Sequence, residues 1–305
     1  MSTIQGSRNT RLRFQRGILS GLITLVTSTV LSVPLLITGC ATEPETPISK
    51  LTVGIVSYGE GSASLEKYDR FKQYLGEQTG AVIELEPVYN EIQALEQIRR
   101  QSWSIVFAPP GLAAIAIDQE QYIPILPLES QGTEMSVLVV RADSGISQLK
   151  DLQNRVLALG EQGSAAGYYL PLYDLYGLTL AEIRFAPTPK TALTWLAEGK
   201  IDAAALSQTQ LEQYEFEVNA ELKVIHQSRA IPPGAVLLSP MVDRNQEQVI
   251  RQALSQATSD IASDAGYIPT GDAPSYAHLI EFIQKVEPIE ANVREIPAVL
   301  AVENP

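Results

Sequence analysis

Leu51-Thr52-Val53-Gly54-Ile55-Val56 reads as a strand, and the residues after it, Leu65, Tyr68, Phe71 and Leu75, fall on one helical face until Gly80 stops the helix. Val82–Leu85 is a second strand ahead of Pro87. Ile92, Leu95 and Ile98 mark a second helix, which leads into the strand Ser104-Ile105-Val106-Phe107-Ala108. Repeated strand–helix alternation predicts an open α/β sheet with helices on both faces and ligands at the carboxyl ends of strands.

Downstream the alternation resumes. Strands are expected at Ser136–Val140, Val156–Leu159, Ile183–Ala186, Ala203–Leu206, Leu222–His226 and Ala235–Leu238. Helices are expected at about Ala165–Leu178, at Thr191–Glu198, and where Val249, Ala253 and Ala257 share a face. The economical arrangement is two α/β lobes joined by two chain crossings, near Glu134–Val140 and Val224–Pro233. Residues 51–134 and 234–290 then form lobe I, residues 135–233 form lobe II with the hinge strands, and residues 291–305 are left as a C-terminal tail. A cleft between the lobes would hold a small molecule.

The first forty residues carry a different signal. Arg8, Arg11, Arg13 and Arg16 precede Gly17–Ile37, an uncharged and largely apolar run that ends in Ile37-Thr38-Gly39-Cys40. A basic start, an apolar run and small residues before a cut site describe a secretory signal over residues 1–39. Cys40, the single cysteine, stands where bacterial lipoprotein signals place the lipidated residue. Gly17–Ile37 is also long enough to span a bilayer at about 20 apolar residues. Its Ser and Thr residues and Pro34 lower its apolarity and favour a cleaved lipoprotein signal. Residues 40–50, polar and Pro-containing, read as a tether between lipid anchor and body.

The 305 residues carry 22 basic and 35 acidic side chains, a net charge of −13. Residues 1–39 hold four Arg and no acid, so the remainder has 18 basic against 35 acidic side chains, or −17. That excludes a nucleic-acid groove, which requires a basic surface. It also removes long-range attraction for anions, so an anion would have to be held by short-range, preorganised donors.

Gly160-Glu161-Gln162-Gly163-Ser164-Ala165-Ala166-Gly167 follows a strand and precedes a helix, where unpaired N–H groups can bind an oxyanion. The spacing is neither a dinucleotide fingerprint nor a P-loop, and an ordinary βα turn capped by Ser164 explains it equally well. Catalysis finds little support. His226 and His278 lie far apart without metal-ligand spacing, Ser164 has no identifiable base, and Glu215 and Glu217 flank Phe216 on what reads as a solvated face. No cofactor or metal is expected. Tyr58, Tyr89 and Tyr168 follow strands or the Gly-rich loop and are candidates to line the cleft.

In ordered series, several segments resemble the solute-binding proteins of phosphate, phosphite and phosphonate ABC transporters. The likeness runs from Leu51-Thr52-Val53-Gly54-Ile55-Val56-Ser57-Tyr58 through Ser104–Pro110 and Ser136–Ser144 to Gly199–Ala205 and Ile231-Pro232-Pro233-Gly234. It implies a two-lobed type II periplasmic-binding-protein fold with mixed sheets flanked by helices. It further implies an exported solute-binding lipoprotein, not an enzyme, that passes a small oxyanion to an ABC permease. Such a protein would be a monomer, held at the membrane surface through Cys40. Carried onto this chain, the ligand contacts are Tyr58, Tyr89, Ala108, Ser164, Ala165, Ala166, Gly167 and Tyr168.

Three departures stand out. Ala165 and Ala166 replace a Thr and a Ser of the family's anion loop, at about 1.5–3 kcal/mol for each lost hydrogen bond to a charged group. The family's His is replaced by Pro189 beside Lys190, which becomes a candidate for the missing positive charge. Ser207 occupies a position that is acidic in members reading an aminoalkyl group, which disfavours an amine-bearing phosphonate. The alternative reading is a ligand-sensing or adaptor protein of the same fold, without transport.

Overall fold

The computed structural model describes residues 50–56, 63–130 and 132–302. The signal at 1–39, the lipidation at Cys40, most of the tether and the ligand contact at Tyr58 lie outside the described residues.

The first lobe opens with β1 (Lys50–Val56), α1 (Ala63–Glu66), α2 (Asp69–Thr79), β2 (Val82–Val88), α3 (Glu91–Arg99), β3 (Ile105–Ala108), α4 (Pro110–Glu120) and β4 (Ile123–Pro127). The second lobe contains β5 (Glu134–Arg141), β6 (Val156–Leu159), a π turn (Ala165–Tyr169), α5 (Leu170–Asp174), β7 (Thr179–Leu180) and β8 (Glu182–Phe185). It continues with α6 (Pro189–Ala197), β9 (Ala203–Ser207), α7 (Gln208–Tyr214) and β10 (Leu222–Ile231). The chain then returns through β11 (Ala235–Leu238), α8 (Arg244–Gln256) and α9 (Ser259–Ala265), and ends with α10 (Ala277–Val286), a 3-10 turn (Glu287–Arg294) and β12 (Ala298–Val299).

Each lobe is built on a five-stranded mixed sheet. The first has the order β2-β1-β3-β11-β4, with β1 parallel to β2 and β3 and with β11 antiparallel to β3 and β4. The second has the order β10-β5-β9-β6-β8, with β6 parallel to β8 and β9. Its other pairs, β5 with β9 and with β10, are antiparallel. The β5–β10 pair slips register twice, and at the second slip Ser228 Oγ accepts from the Ser136 N–H at 2.9 Å.

Local sequence explains the elements. Phe71 and Leu75 bury one face of α2, and Gly80, left-handed at φ 64°, donates its N–H to the Gly76 carbonyl and ends the helix. Asn90, Thr188 and Ser207 cap α3, α6 and α7 by accepting from backbone N–H groups three residues on. In β1, Gly54 lies under the fully buried Trp103, and a Cβ there would stand 2.1 Å from the indole ring. The helix expected over 165–178 is instead a π turn followed by α5, which gives way to a turn before Gly177 at φ 91°.

A third crossing appears that local patterns do not announce. α10 buries Leu279, Phe282, Ile283 and Val286 against α4 of the first lobe and α5 of the second. Within the stretch read as a tail, β12 pairs antiparallel with β7, Ala298 opposite Leu180 and Val299 opposite Thr179. We refer to residues 277–302 as the C-terminal arm.

Candidate functional site

The residues that follow β2, β3, β6, β8 and β9 gather between the two sheets, where α3, α4, α6 and α7 begin. Two adjoining cavities, with about 30 and 140 Å³ of room for water-sized groups, lie there. Glu91 at the start of α3 and Pro109, Pro110 and Gly111 at the start of α4 contribute from the first lobe. The second lobe contributes the 160–167 loop, the Ala186–Pro189 segment into α6, and Ser207 and Gln210 of α7. Converging helix N-termini present partial positive charge to this space.

The Gly-rich loop is tightly specified. Ser164 Oγ accepts from the Gly167 N–H at 3.0 Å, and the Gly160 N–H donates to the Gly167 carbonyl at 2.9 Å. The Tyr169 N–H reaches back five residues to the Ser164 carbonyl at 3.1 Å, the π spacing often found at functional sites. Buried Ser136 on β5 donates to the Ala166 carbonyl at 2.6 Å and fixes the turn from beneath. Across the cleft Gly111 packs directly on this loop. A Cβ at Gly111 would lie 2.1 Å from the Gly163 carbonyl oxygen and 2.6 Å from the Ala165 nitrogen, so only glycine allows this approach between the lobes.

The expected ligand contacts divide. Ser164 lines both cavities, Gly167 the first, and Ala165 and Ala166 the second. Ala108 is fully buried at the end of β3, paired with Ala235, and it is the next residue, Pro109, that reaches the cavity. Tyr168 lines neither cavity: it is buried edge-on against Tyr169 at 4.9 Å. Burial, reinforced by Glu290, pushes its hydroxyl well above the usual phenol range. Tyr89, about half exposed, donates its N–H to Gln93 Oε1 and lines neither cavity. Lys190 does not line the cavities either, because its ammonium is hydrogen-bonded to Glu217, which raises its pKa. The candidate substitute for the family His is thus committed to a surface ion pair.

Acidic groups are what the sequence reasoning missed. Glu91, Glu161 and Glu134 line the two cavities, and neither lining contains Lys, Arg or His. Glu134 Oε1 accepts from the N–H of Thr209 at 3.4 Å, which commits it in part to the start of α7. Glu161 differs: its Oε2 is buried without a hydrogen-bond partner among the described residues. Burial raises its pKa, and the charge of Arg294 pulls partly the other way. Glu161 stands inside the quoted Gly-rich loop, so its proximity to the site was legible, but its orientation was not. Among the described residues no group of three His, Cys, Asp or Glu could hold a metal ion. His226 pairs with Asp174 at 2.8 Å away from these cavities, and His278 is exposed. No described helix is long and apolar enough to cross a membrane.

Comparison with solved structures shows the same fold. XAC2383 from Xanthomonas citri, bound to ATP, is 20% identical with TM-score 0.65 over 78% of this chain and 98% of that one. A binding protein component of an ABC phosphonate transporter from Pseudomonas aeruginosa, PA3383, is 17% identical with TM-score 0.62 over 81% and 88%. PhnD1 from Prochlorococcus marinus, in complex with methylphosphonate, is 19% identical with TM-score 0.62 over 78% and 98%. Comparison with curated proteins returns no match. The family described as "ABC transporter, phosphonate, periplasmic substrate-binding protein" matches residues 53–275, most of the described body. With two mixed-sheet lobes and a cleft at their strand ends, this chain belongs to that family of periplasmic solute-binding proteins, which bind their solutes without transforming them.

Proposed function

We propose that this protein is the lipid-anchored capture component of an ABC importer and closes its cleft on a small solute bearing an oxyanion of the phosphate, phosphite or phosphonate type. The observation that carries the reading is the Ser164 turn, a built loop facing the start of α3 and α4 across a small cleft. Ser164 and the first amides of the turn would hold the oxyanion, with Ala165 and Ala166 supplying backbone only. Cys40 would carry the lipid, residues 41–50 the tether, and the lobe boundaries would fall near 134/135 and 233/234, before β5 and before β11. Mass spectrometry of the mature N-terminus tests the anchor: an unmodified or absent Cys40 ends that part of the reading.

A second reading of the ligand is favoured by the acids at the cleft. With Glu161 in the lining, its Oε2 buried without a hydrogen-bond partner among the described residues, a bare anion meets repulsion, whereas a solute that also bears an ammonium or an acidic proton finds an acceptor. This reverses the expectation drawn from Ser207, because the carboxylates arrive from other positions.

A thermal-shift and calorimetry panel of phosphate, phosphite, sulfate, methylphosphonate, an aminoalkylphosphonate and neutral controls distinguishes the two. Ligand at a hundred times its dissociation constant stabilises the native state by about 2.7 kcal/mol. Stabilisation by simple oxyanions supports the first reading, and stabilisation by the aminoalkylphosphonate alone supports the second. A response only to solutes without an oxyanion overturns both.

A further inference from the structure

Outside the cleft lining, Glu290 is a half-buried carboxyl on the 3-10 turn of the C-terminal arm. Gln162 Nε2 donates to Glu290 Oε1 at 3.1 Å. Gln162 lies two residues before Ser164. The N-terminal flank of the Ser164 turn is therefore tied to a side chain that arrives from 128 residues away in sequence.

The arm that delivers Glu290 is itself held on both sides. Phe282 stacks on Tyr173 of α5 at 4.8 Å, Arg294 lies over the Phe185 ring at 4.5 Å, and β12 closes onto β7. On the first lobe, Gln284 donates to Asp118 of α4 at 3.2 Å. Glu290 is thus fixed by anchors before and after it, and burial of its carboxyl, which raises its pKa, is offset in part by the Gln162 hydrogen bond.

We propose that Glu290 is a positioning residue that clamps the Ser164 turn from behind, so that the C-terminal arm sets the geometry of the ligand loop. The consequence for binding rests on the reading that this loop holds the solute; the clamp itself does not.

The test compares Glu290→Ala with Glu290→Gln in the full chain. Gln keeps an acceptor for Gln162, and Ala does not. Hydrogen exchange of peptides covering 160–170, without ligand, should quicken at least about tenfold in Glu290→Ala while the sheet strands of both lobes stay protected, and Glu290→Gln should restore most of the protection. Affinity for methylphosphonate should fall about tenfold or more in Glu290→Ala and recover in Glu290→Gln. Unchanged exchange in the loop, acceleration spread evenly over all strands, or no recovery in Glu290→Gln overturns the clamp. A loosened loop in a protein that binds no oxyanion at all leaves the clamp standing and overturns the ligand assignment instead.

Discussion

The contact between Gly111 and the 163–165 loop makes a sharp test of how the cleft closes. Gly111→Ala places a methyl group 2.1 Å from the Gly163 carbonyl oxygen and 2.6 Å from the Ala165 nitrogen, and both are backbone atoms that cannot rotate away. Ordinary contact begins at 3.4 Å, so the two lobes must part by about 1.3 Å at this point or the loop must deform. Overpacking of this kind costs about 1–3 kcal/mol. The open form is spared the clash, and Ala is a better helix former than Gly by up to about 1 kcal/mol, so the penalty falls on the closed state. A closed-state penalty of 1–3 kcal/mol weakens ligand binding roughly 5- to 150-fold. Calorimetry with whichever oxyanion of the panel binds measures the affinity, and small-angle scattering without ligand measures the opening. The expected result is weaker binding, a larger radius of gyration in the free protein and an unchanged midpoint of thermal unfolding. Affinity and scattering both equal to wild type would refute the claim that this approach closes the cleft.

Three further substitutions follow from the same geometry. Ser164→Ala removes the cap on Gly167 N–H, lowering stability by about 1 kcal/mol and oxyanion affinity by tenfold or more; unaltered calorimetric affinity would exclude Ser164 from the site. Glu161→Gln should strengthen binding of a simple oxyanion and weaken that of an aminoalkylphosphonate. Because burial raises the Glu161 pKa, its proton stays on to a higher pH in the folded protein than in the unfolded chain. Its stabilising contribution is complete below the ordinary Glu value and is lost as pH rises through the raised one. Oxyanion affinity should therefore climb as pH falls through that window, and a slope that persists in Glu161→Gln contradicts the assignment. Lys190→Ala, finally, should leave affinity within about twofold, since its ammonium serves Glu217; a tenfold loss would return Lys190 to the ligand.

Much of this protein is written locally. The β1, β2 and β3 strands, the buried Phe71 and Leu75 of α2 and the buried Leu95 and Ile98 of α3 follow from spacing, because apolar periodicity is a property of consecutive residues, whereas Ile92, read on the same face of α3, is exposed. The Gly80 stop is equally local, and so is the position of a Ser-capped Gly-rich loop after a strand, since caps and turns involve residues only a few apart. The acidic balance of the body likewise needed no coordinates to exclude capture of anions at long range.

What remained illegible depends on partners distant in sequence. Spacing reveals that Tyr168 follows the ligand loop, but not that it packs on Tyr169 and lines neither cavity, and it places Lys190 near a cleft without showing that Glu217 takes its charge. Gly111 is an ordinary early helix residue until Gly163 lies against it, and Glu161 is one acid among many until its Oε2 is buried beside Ser164. The sequence by itself determined the strand and helix alternation, the site's loop and the charge. Only the tertiary structure decided which side chains face the cleft and which support it, because direction and burial are set by packing between segments that no local pattern relates.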